Sequence, residues 1–437
     1  MSSINRAVNR PMAQNSVGTQ VPMTSPERQL KRITLAAMLW EDQFYLDGKS
    51  HAELVRDLVA KVQPEKVADL AGVARSKFKL RHIPLLLARE LARNGKLQAQ
   101  TLTTIIQRPD EMSEFLSIYW KEGKTAVSNQ IKKGLAACFN KFNEYQLAKW
   151  NKNNAAIKLR DVMFLSHPKP QNAEQEALFK RIASDTLETP DTWEVQLSGG
   201  ADKCYTFTRL MSEKKLGALA FLRNLRNMAQ SGVSETLIRQ YSTQVDVSRV
   251  LPFRFIAAAR IVPQFEDMLE NMMFRALADL PKIKGKTVLV IDVSGSMFGT
   301  NISAKSDLDR FDAAAALAVL CREICEQVEI YSFSYDAVRV APRRGFALVE
   351  AISKSQNHGG TQLGQAMRTI DSQTSYDRVI VFTDEQSYDR PQSPRGKGYL
   401  VNVASYQHGV NHSAWNEING FSEAIVDYIQ AFEAEGQ

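Results

Sequence analysis

Five oxygen-bearing side chains in the last third of this 437-residue chain sit where one cation could collect them. The apolar run Val288-Leu289-Val290-Ile291 leads directly into Asp292-Val293-Ser294-Gly295-Ser296-Met297. Gly359-Gly360-Thr361 opens a later helical stretch, and Val379-Ile380-Val381-Phe382 runs into Thr383-Asp384. Each piece lies where a strand of buried, parallel character gives way to a loop, and in open α/β sheets the carboxyl ends of the strands form the ligand crevice. Asp292, Ser294, Ser296, Thr361 and Asp384 can therefore converge. Carboxylates and neutral hydroxyls are hard donors that leave a divalent ion under-neutralised. The set suits a six-coordinate Mg²⁺, or another divalent cation, that keeps waters or accepts a partner's carboxylate. Asp-x-Ser-x-Ser alone is ordinary turn composition. The strand before it, the Thr after a Gly-Gly pair and the Asp after a second strand are what give it meaning.

A second constellation is basic. Lys141, Lys149, Lys152, Lys158, Arg160, His167 and Lys169 fall on one or two adjacent helices and the segment that follows, where they can neutralise phosphates. His167, beside Pro168 at a helix end, can donate to a phosphate or stack on a base. A lone His beside Pro is more often a cap or a packed residue. Arg223 and Arg226, three apart, are neighbours on one helix side and read as partners of acids or caps between repeats. No Ser/His/Asp or Cys/His nucleophile set is visible, so the chain reads as a non-enzyme. Phosphoester hydrolysis on Mg²⁺ at Asp292, Asp384 and Glu385 is a weaker reading, because it lacks an evident base or Arg clamp.

The elements that must position these groups fall into two kinds. From residue 26 to about 281 the pattern is helical, with apolar stripes such as Leu54, Val55, Leu58, Val59 and Val62, or Ile131, Leu135, Cys138, Phe139 and Phe142. Breakers at Pro64, Gly72, Pro84, Gly95, Pro109, Gly123, Pro168, Gly199-Gly200, Gly232 and Pro252 recur at helix-hairpin intervals. Stacked helix pairs in a curved solenoid satisfy that pattern better than one bundle. After Gly285 strands and helices alternate, which argues a doubly wound sheet. The expected strands are 286–291, 328–333, 337–341, 378–382 and 399–404; the expected helices are 311–325, 348–354, 361–370 and 422–432. The domains are accordingly a basic, flexible tail over 1–26, a helical-repeat domain over 27–284 and an α/β domain over 285–437.

Charge separates the same two regions. Residues 285–437 carry 13 Lys/Arg against 19 Asp/Glu, net −6, and residues 1–284 carry 42 against 29, net +13. The asymmetry points to a polyanion partner for the first region. The four cysteines, Cys138, Cys204, Cys321 and Cys325, show no metal or redox spacing; Cys321 and Cys325 are placed one turn apart in an apolar helix, and all four read as reduced. No apolar run approaches a membrane span and no signal-peptide core is present, so the expected compartment is the cytoplasm.

Three pieces carry a family resemblance: Leu222-Arg223-Asn224-Leu225-Arg226-Asn227-Met228, Leu165-Ser166-His167-Pro168-Lys169-Pro170, and the basic stretch leading to it from Lys149. With an A-type domain after them, they resemble the Ro 60 kDa autoantigen family, which joins TROVE and von Willebrand factor A modules. The Asp292, Ser294, Ser296, Thr361 and Asp384 set likewise resembles the metal-ion-dependent adhesion site of von Willebrand A domains. The resemblance implies an all-α ring of HEAT-like helical repeats followed, and closed, by an α/β doubly wound von Willebrand A-type domain. It also implies binding of small noncoding Y-type RNA on the outer surface and of single-stranded ends of misfolded RNA through the central hole. One departure stands out: Trp150, Asn151, Asn153 and Asn154 interrupt a stretch that is usually more basic in the family. The resulting reading is a monomeric RNA-binding ribonucleoprotein component whose metal site serves a protein partner, an exoribonuclease being one candidate. The rival is a metal-dependent protein-interaction adaptor whose A domain captures an acidic residue of its partner.

Overall fold

The computed structural model describes residues 12–14, 20–22, 25–36, 48–76, 80–151, 155–299, 301, 308–384, 387, 389, 391–403, 415–419 and 425–434. Lys152 and Glu385 lie outside them. The chain forms two compact units, one of residues 26–37 and 46–206, the other of residues 207–437 with the segments 1–25 and 38–45. The division falls within the helix Lys203–Ser212.

The first unit is helical. Its helices include Gly48–Val59, Pro64–Ser76, His82–Arg93, Ala99–Ile105, Asp110–Tyr119, Asn129–Phe139, Glu144–Trp150, Leu159–Ser166 and Ala173–Ser184. Of the predicted stripe Val55, Leu58 and Val59 are buried, whereas Leu54 stays exposed and Val62 is half-buried. Helices pack pairwise, Pro64–Ser76 on His82–Arg93, Ala99–Ile105 on Asn129–Phe139, and Asn129–Phe139 in turn on Leu159–Ser166. Gly134 makes the second of these pairings possible: a Cβ there would come within 2.9 Å of the Ala99 carbonyl. A buried ion pair joins further turns. Arg75 donates to Glu111 at 2.5 Å and to the Ile105 carbonyl at 2.9 Å, while the other Glu111 oxygen accepts the Gln107 and Arg108 amides. Each charge is thereby hydrogen-bonded, which is the condition under which burial is tolerated.

The second unit adds the helices Ala218–Gln230, Glu235–Gln244, Pro252–Ile261 and Glu266–Leu277 to an α/β domain. The strands are β1 (Met12–Gln14), β2 (Gln20–Pro22), β3 (Ile283–Asp292), β4 (Cys325–Phe333), β5 (Ala337–Arg339), β6 (Arg378–Thr383), β7 (Lys397–Asn402) and β8 (Asn416–Asn419). β1 and β2 pair antiparallel within the stretch read from sequence as a flexible tail. The main sheet has the order β5-β4-β3-β6-β7-β8, parallel except at β5. Val288, Val290, Val379 and Val381 face Leu363, Met367 and Ile370 on one side. The Ala-rich helix Arg310–Ile324, fully buried from Ala313 to Leu317, packs against β3, β4 and β6. Coverage on both faces explains why β3 and β6 read as unbroken apolar runs rather than alternating ones.

Two expectations change. Cys325 opens β4 instead of ending the preceding helix, so it and Cys321 lie on different elements. Cys138, Cys321 and Cys325 are buried, Cys204 is half-buried, and all four are free thiols. β8 had no sequence signal: four residues, two of them Asn, do not carry a strand pattern, and it forms by adding an edge beside β7. Among the described residues no helix is long and apolar enough to cross a membrane.

Candidate metal centre and basic cleft

β3 and β6 are parallel neighbours with Ile291 opposite Phe382, so the residues that follow them emerge side by side. Asp292 and Asp384 are both fully buried. Asp292 accepts the Ser294 amide at 2.8 Å through one carboxylate oxygen and the Thr383 hydroxyl at 2.6 Å through the other. The Ser294 and Ser296 hydroxyls are 3.3 Å apart. Ser294 is buried and Ser296 half-buried. The Gly295 amide donates to the Gly359 carbonyl, which ties the Asp-x-Ser-x-Ser turn to the segment holding the buried Thr361. Gly359 also lets the ring of Tyr335, an exposed aromatic on the rim, lie against the backbone, where a Cβ would displace it. Ser387 donates to the Thr361 carbonyl at 3.4 Å and accepts the Leu363 amide, so the loop after β6 holds the Thr361 segment from the other side.

The electrostatics of this cluster favour a cation. Burial first, and the charge of Asp384 second, push the Asp292 carboxyl up to about 7. Two carboxylates shut away from water with hydroxyls beside them match the donor set of a hard divalent ion. The five predicted donors thus lie in adjoining turns at one end of the sheet. Two participants were not predicted. Thr383 holds Asp292, and its place immediately before Asp384 after an apolar strand could have announced it. Arg310, buried, donates to Asp384 at 3.0 Å and to the Ser296 carbonyl at 3.3 Å.

The predicted basic face divides. His167 and Lys169 line a cleft of about 370 Å³ together with Asn129, Lys132, Lys133, Asn140 and Ser166. His167 caps the helix Leu159–Ser166 in the left-handed region, φ 50°, which turns its exposed ring away from the helix axis, and its amide donates to the Met163 carbonyl. Asn140, at the C-cap of Asn129–Phe139, has a buried side-chain oxygen without a hydrogen-bond partner among the described residues. Neither Lys132, Lys133 nor Lys169 has a carboxylate partner among the described residues. Of these only Lys169 follows a helix C-terminus, that of Leu159–Ser166, where the dipole favours a cation; Lys132 and Lys133 lie in the first half of Asn129–Phe139.

The remaining candidates sit elsewhere. Lys158 lines a separate cleft of about 390 Å³ with Arg81, Asp110, Glu114 and Trp150. In it Asp110 and Glu114 already pair with Arg81, each at 2.7 Å. Lys149 lies 5.9 Å above the Tyr145 ring and 6.0 Å from the Trp150 ring, whose centre Arg108 covers at 3.6 Å. Arg160 is exposed beside Asp161. Lys141 donates to the Thr103 and Ile106 carbonyls at 2.6 and 2.5 Å, capping the end of the helix Ala99–Ile105. Its charge serves helix packing. Lys132 and Lys133 were missed because they lie 34 or more residues before His167, and only the packing of their helix on Leu159–Ser166 brings them to the same cleft.

Residues 184–302 match the TROVE domain and residues 287–386 the von Willebrand factor type A domain. The first match contains the Leu222 to Met228 motif and begins after the His167 segment. Over 91 residues, 20% of this chain, it is 34% identical to telomerase protein component 1 of Mus musculus and 33% identical to that of Rattus norvegicus. The matched stretch spans only 4% of the length of either relative. The Deinococcus radiodurans RO (RSR) protein superposes with a TM-score of 0.66 at 20% identity, covering 93% of this chain and 99% of that one. The chain therefore joins a TROVE domain to a von Willebrand factor type A domain, the pairing of the Ro family, on the fold of a Ro protein.

Proposed function

We propose that this protein is an RNA-binding component of a ribonucleoprotein, taking phosphates of RNA in the cleft of Lys132, Lys133, His167 and Lys169. The observation that carries the reading is the set of lysines there with no acidic partner among the described residues, in a region of net charge +13. Family resemblance supports small noncoding, Y-type RNA and single-stranded ends of misfolded RNA as the RNAs held. In the same reading the A domain binds Mg²⁺ through Asp292, Ser294, Ser296, Thr361 and Asp384 and offers its open position to an acidic residue of a protein partner, an exoribonuclease being one candidate. The protein acts as a monomer in the cytoplasm and catalyses no reaction itself.

RNA binding as a function of salt tests this. Neutralising phosphates releases counterions, and for single strands the slope of log affinity against log salt is about −0.7 per contact. Replacing Lys132, Lys133 and Lys169 together by Ala is expected to flatten the slope by roughly two units. An unaltered slope and affinity in that variant would remove the cleft from the RNA site.

The adaptor reading keeps one observation in its favour. Tyr335 is 60% exposed at the rim of the metal centre, an aromatic surface beside the place where a partner's carboxylate would bind. Co-purifying RNA separates the readings: chelation with EDTA releases a protein partner under either, but only the RNA-binding reading has the chelated protein still carrying RNA.

A further inference from the structure

Arg310 occupies a position that disfavours it twice over. It is the first residue of the 15-residue helix Arg310–Ile324, where the dipole opposes a cation, and it is only 6% exposed, where desolvation opposes any charge. What offsets both costs lies at the metal centre: the guanidinium donates to Asp384 at 3.0 Å and to the Ser296 carbonyl at 3.3 Å. A divalent ion at the centre would draw on the same Asp384 carboxylate and would stand close to the guanidinium, and two cations sharing one carboxylate in a buried site repel strongly.

The turn that carries Arg310 is held in place. Asp309 accepts the Asp312 amide at 2.9 Å, and Asp312 accepts the Asp309 amide at 3.0 Å. Asp312 also pairs with Arg260 of the helix Pro252–Ile261. With the backbone fixed from both directions, accommodation of an ion falls on the Arg310 side chain.

We propose that Arg310 is a built-in counter-cation of the metal centre, which neutralises Asp384 when no ion is bound and competes with the ion for that carboxylate. It sets the affinity of the site and restrains it until the ion or a partner's acidic side chain displaces the guanidinium. The proposal rests on the metal reading above, and the test separates the two.

Binding of Mn²⁺ to the full-length protein would be followed by electron paramagnetic resonance, with Mg²⁺ titrated by calorimetry, for the native chain, Arg310→Met, Arg310→Gln and Asp292→Asn. Arg310→Met is expected to bind Mn²⁺ roughly ten- to a hundredfold more tightly than the native chain. Arg310→Gln keeps a polar side chain without the charge, should show the same gain, and serves where the Met variant does not fold. Melting temperature should fall in both variants without metal and recover when Mn²⁺ is added. Binding that is unchanged or weaker in a folded Arg310 variant overturns the proposal while leaving the metal centre standing. Absence of binding in every protein, or binding undiminished in Asp292→Asn, overturns the metal reading and the proposal with it.

Discussion

The metal centre and the basic cleft are built on opposite principles. The centre takes its donors from loops that follow neighbouring parallel strands, buries them, and ties most of them to one another: Asp292 to Ser294 and Thr383, Ser294 to Ser296, Asp384 to Arg310. The cleft takes its cations from the surface of one helix, Asn129–Phe139, and from the segment that follows Leu159–Ser166, and leaves them without acidic partners among the described residues. The first arrangement would give a small ion a fixed shell. The second presents charge to a long polyanion whose phosphates can choose among several lysines. Substitutions should therefore act steeply at the centre and in graded steps at the cleft.

Asp292→Ala is the most damaging single change expected for metal binding. It deletes a carboxylate donor and frees the Thr383 hydroxyl and the Ser294 amide that it held. Metal affinity should fall by more than roughly a hundredfold, beyond the usual effect of losing a supporting residue alone. RNA affinity should be unaltered. Calorimetric titration of the full-length variant with Mg²⁺, beside an RNA-binding isotherm, checks both halves of that statement. Loss of RNA binding in Asp292→Ala would mean that the centre also organises the cleft, and the contrast between the two regions would collapse.

Acidity gives a smaller and directional effect. Asp292 titrates at about 7 in the folded protein against 3.8 for an ordinary Asp, chiefly because it is buried and next because Asp384 is charged. Between those two values the folded, metal-free protein binds more protons than the unfolded chain, so this group makes stability fall as pH rises through the window. Mg²⁺ needs the carboxylate ionised and competes with the proton. The rise in melting temperature produced by Mg²⁺ should therefore be large at pH 8 and nearly absent at pH 5.5. Equal shifts at both values would show that Asp292 does not face the ion. Salt slopes of RNA binding, governed by lysines, should hardly change over the same range.

The same contrast decides what could be read from the sequence. Asp292, Ser294, Ser296 and Asp384 could be placed together because apolar strand runs announce their own ends and Ile291 pairs with Phe382; Thr361 follows no strand and is brought beside them by the Gly295 to Gly359 hydrogen bond. Arg310 was not, because nothing in a helix's first residue tells which neighbouring loop its side chain will reach. On the helical side the apolar stripe of Ile131, Leu135, Cys138 and Phe139 was evident and is buried. Which other helix lay beside Lys132 and Lys133 depends on tertiary packing, as at Gly134, and has no period in the sequence. Lys141 shows the converse error. A lysine near a basic cluster was read as a phosphate ligand, whereas its reach to the Thr103 and Ile106 carbonyls makes it a helix cap. The element bounds shifted by a few residues for an equally local reason, as with Leu363–Gln373, which begins after Thr361 because Gln362 takes a non-helical conformation.

His167→Gly is the smallest expected effect and bears most directly on how the cleft is made. The residue holds φ 50° and ψ 59°, a conformation that costs a side-chain-bearing residue about 1–2 kcal/mol and glycine little. Glycine in turn adds about 0.5–1 kcal/mol of unfolded-state freedom. The two nearly cancel, so urea unfolding should show the variant within about 1 kcal/mol of the native chain, on the stabilised side if strain dominates. Because His167 contributes one hydrogen bond or a stacking face, the salt slope should change little while discrimination between RNA sequences weakens. A destabilisation well beyond 1 kcal/mol would instead assign the ring to packing at the helix end. The cleft would then consist of lysines alone, reading charge and no base.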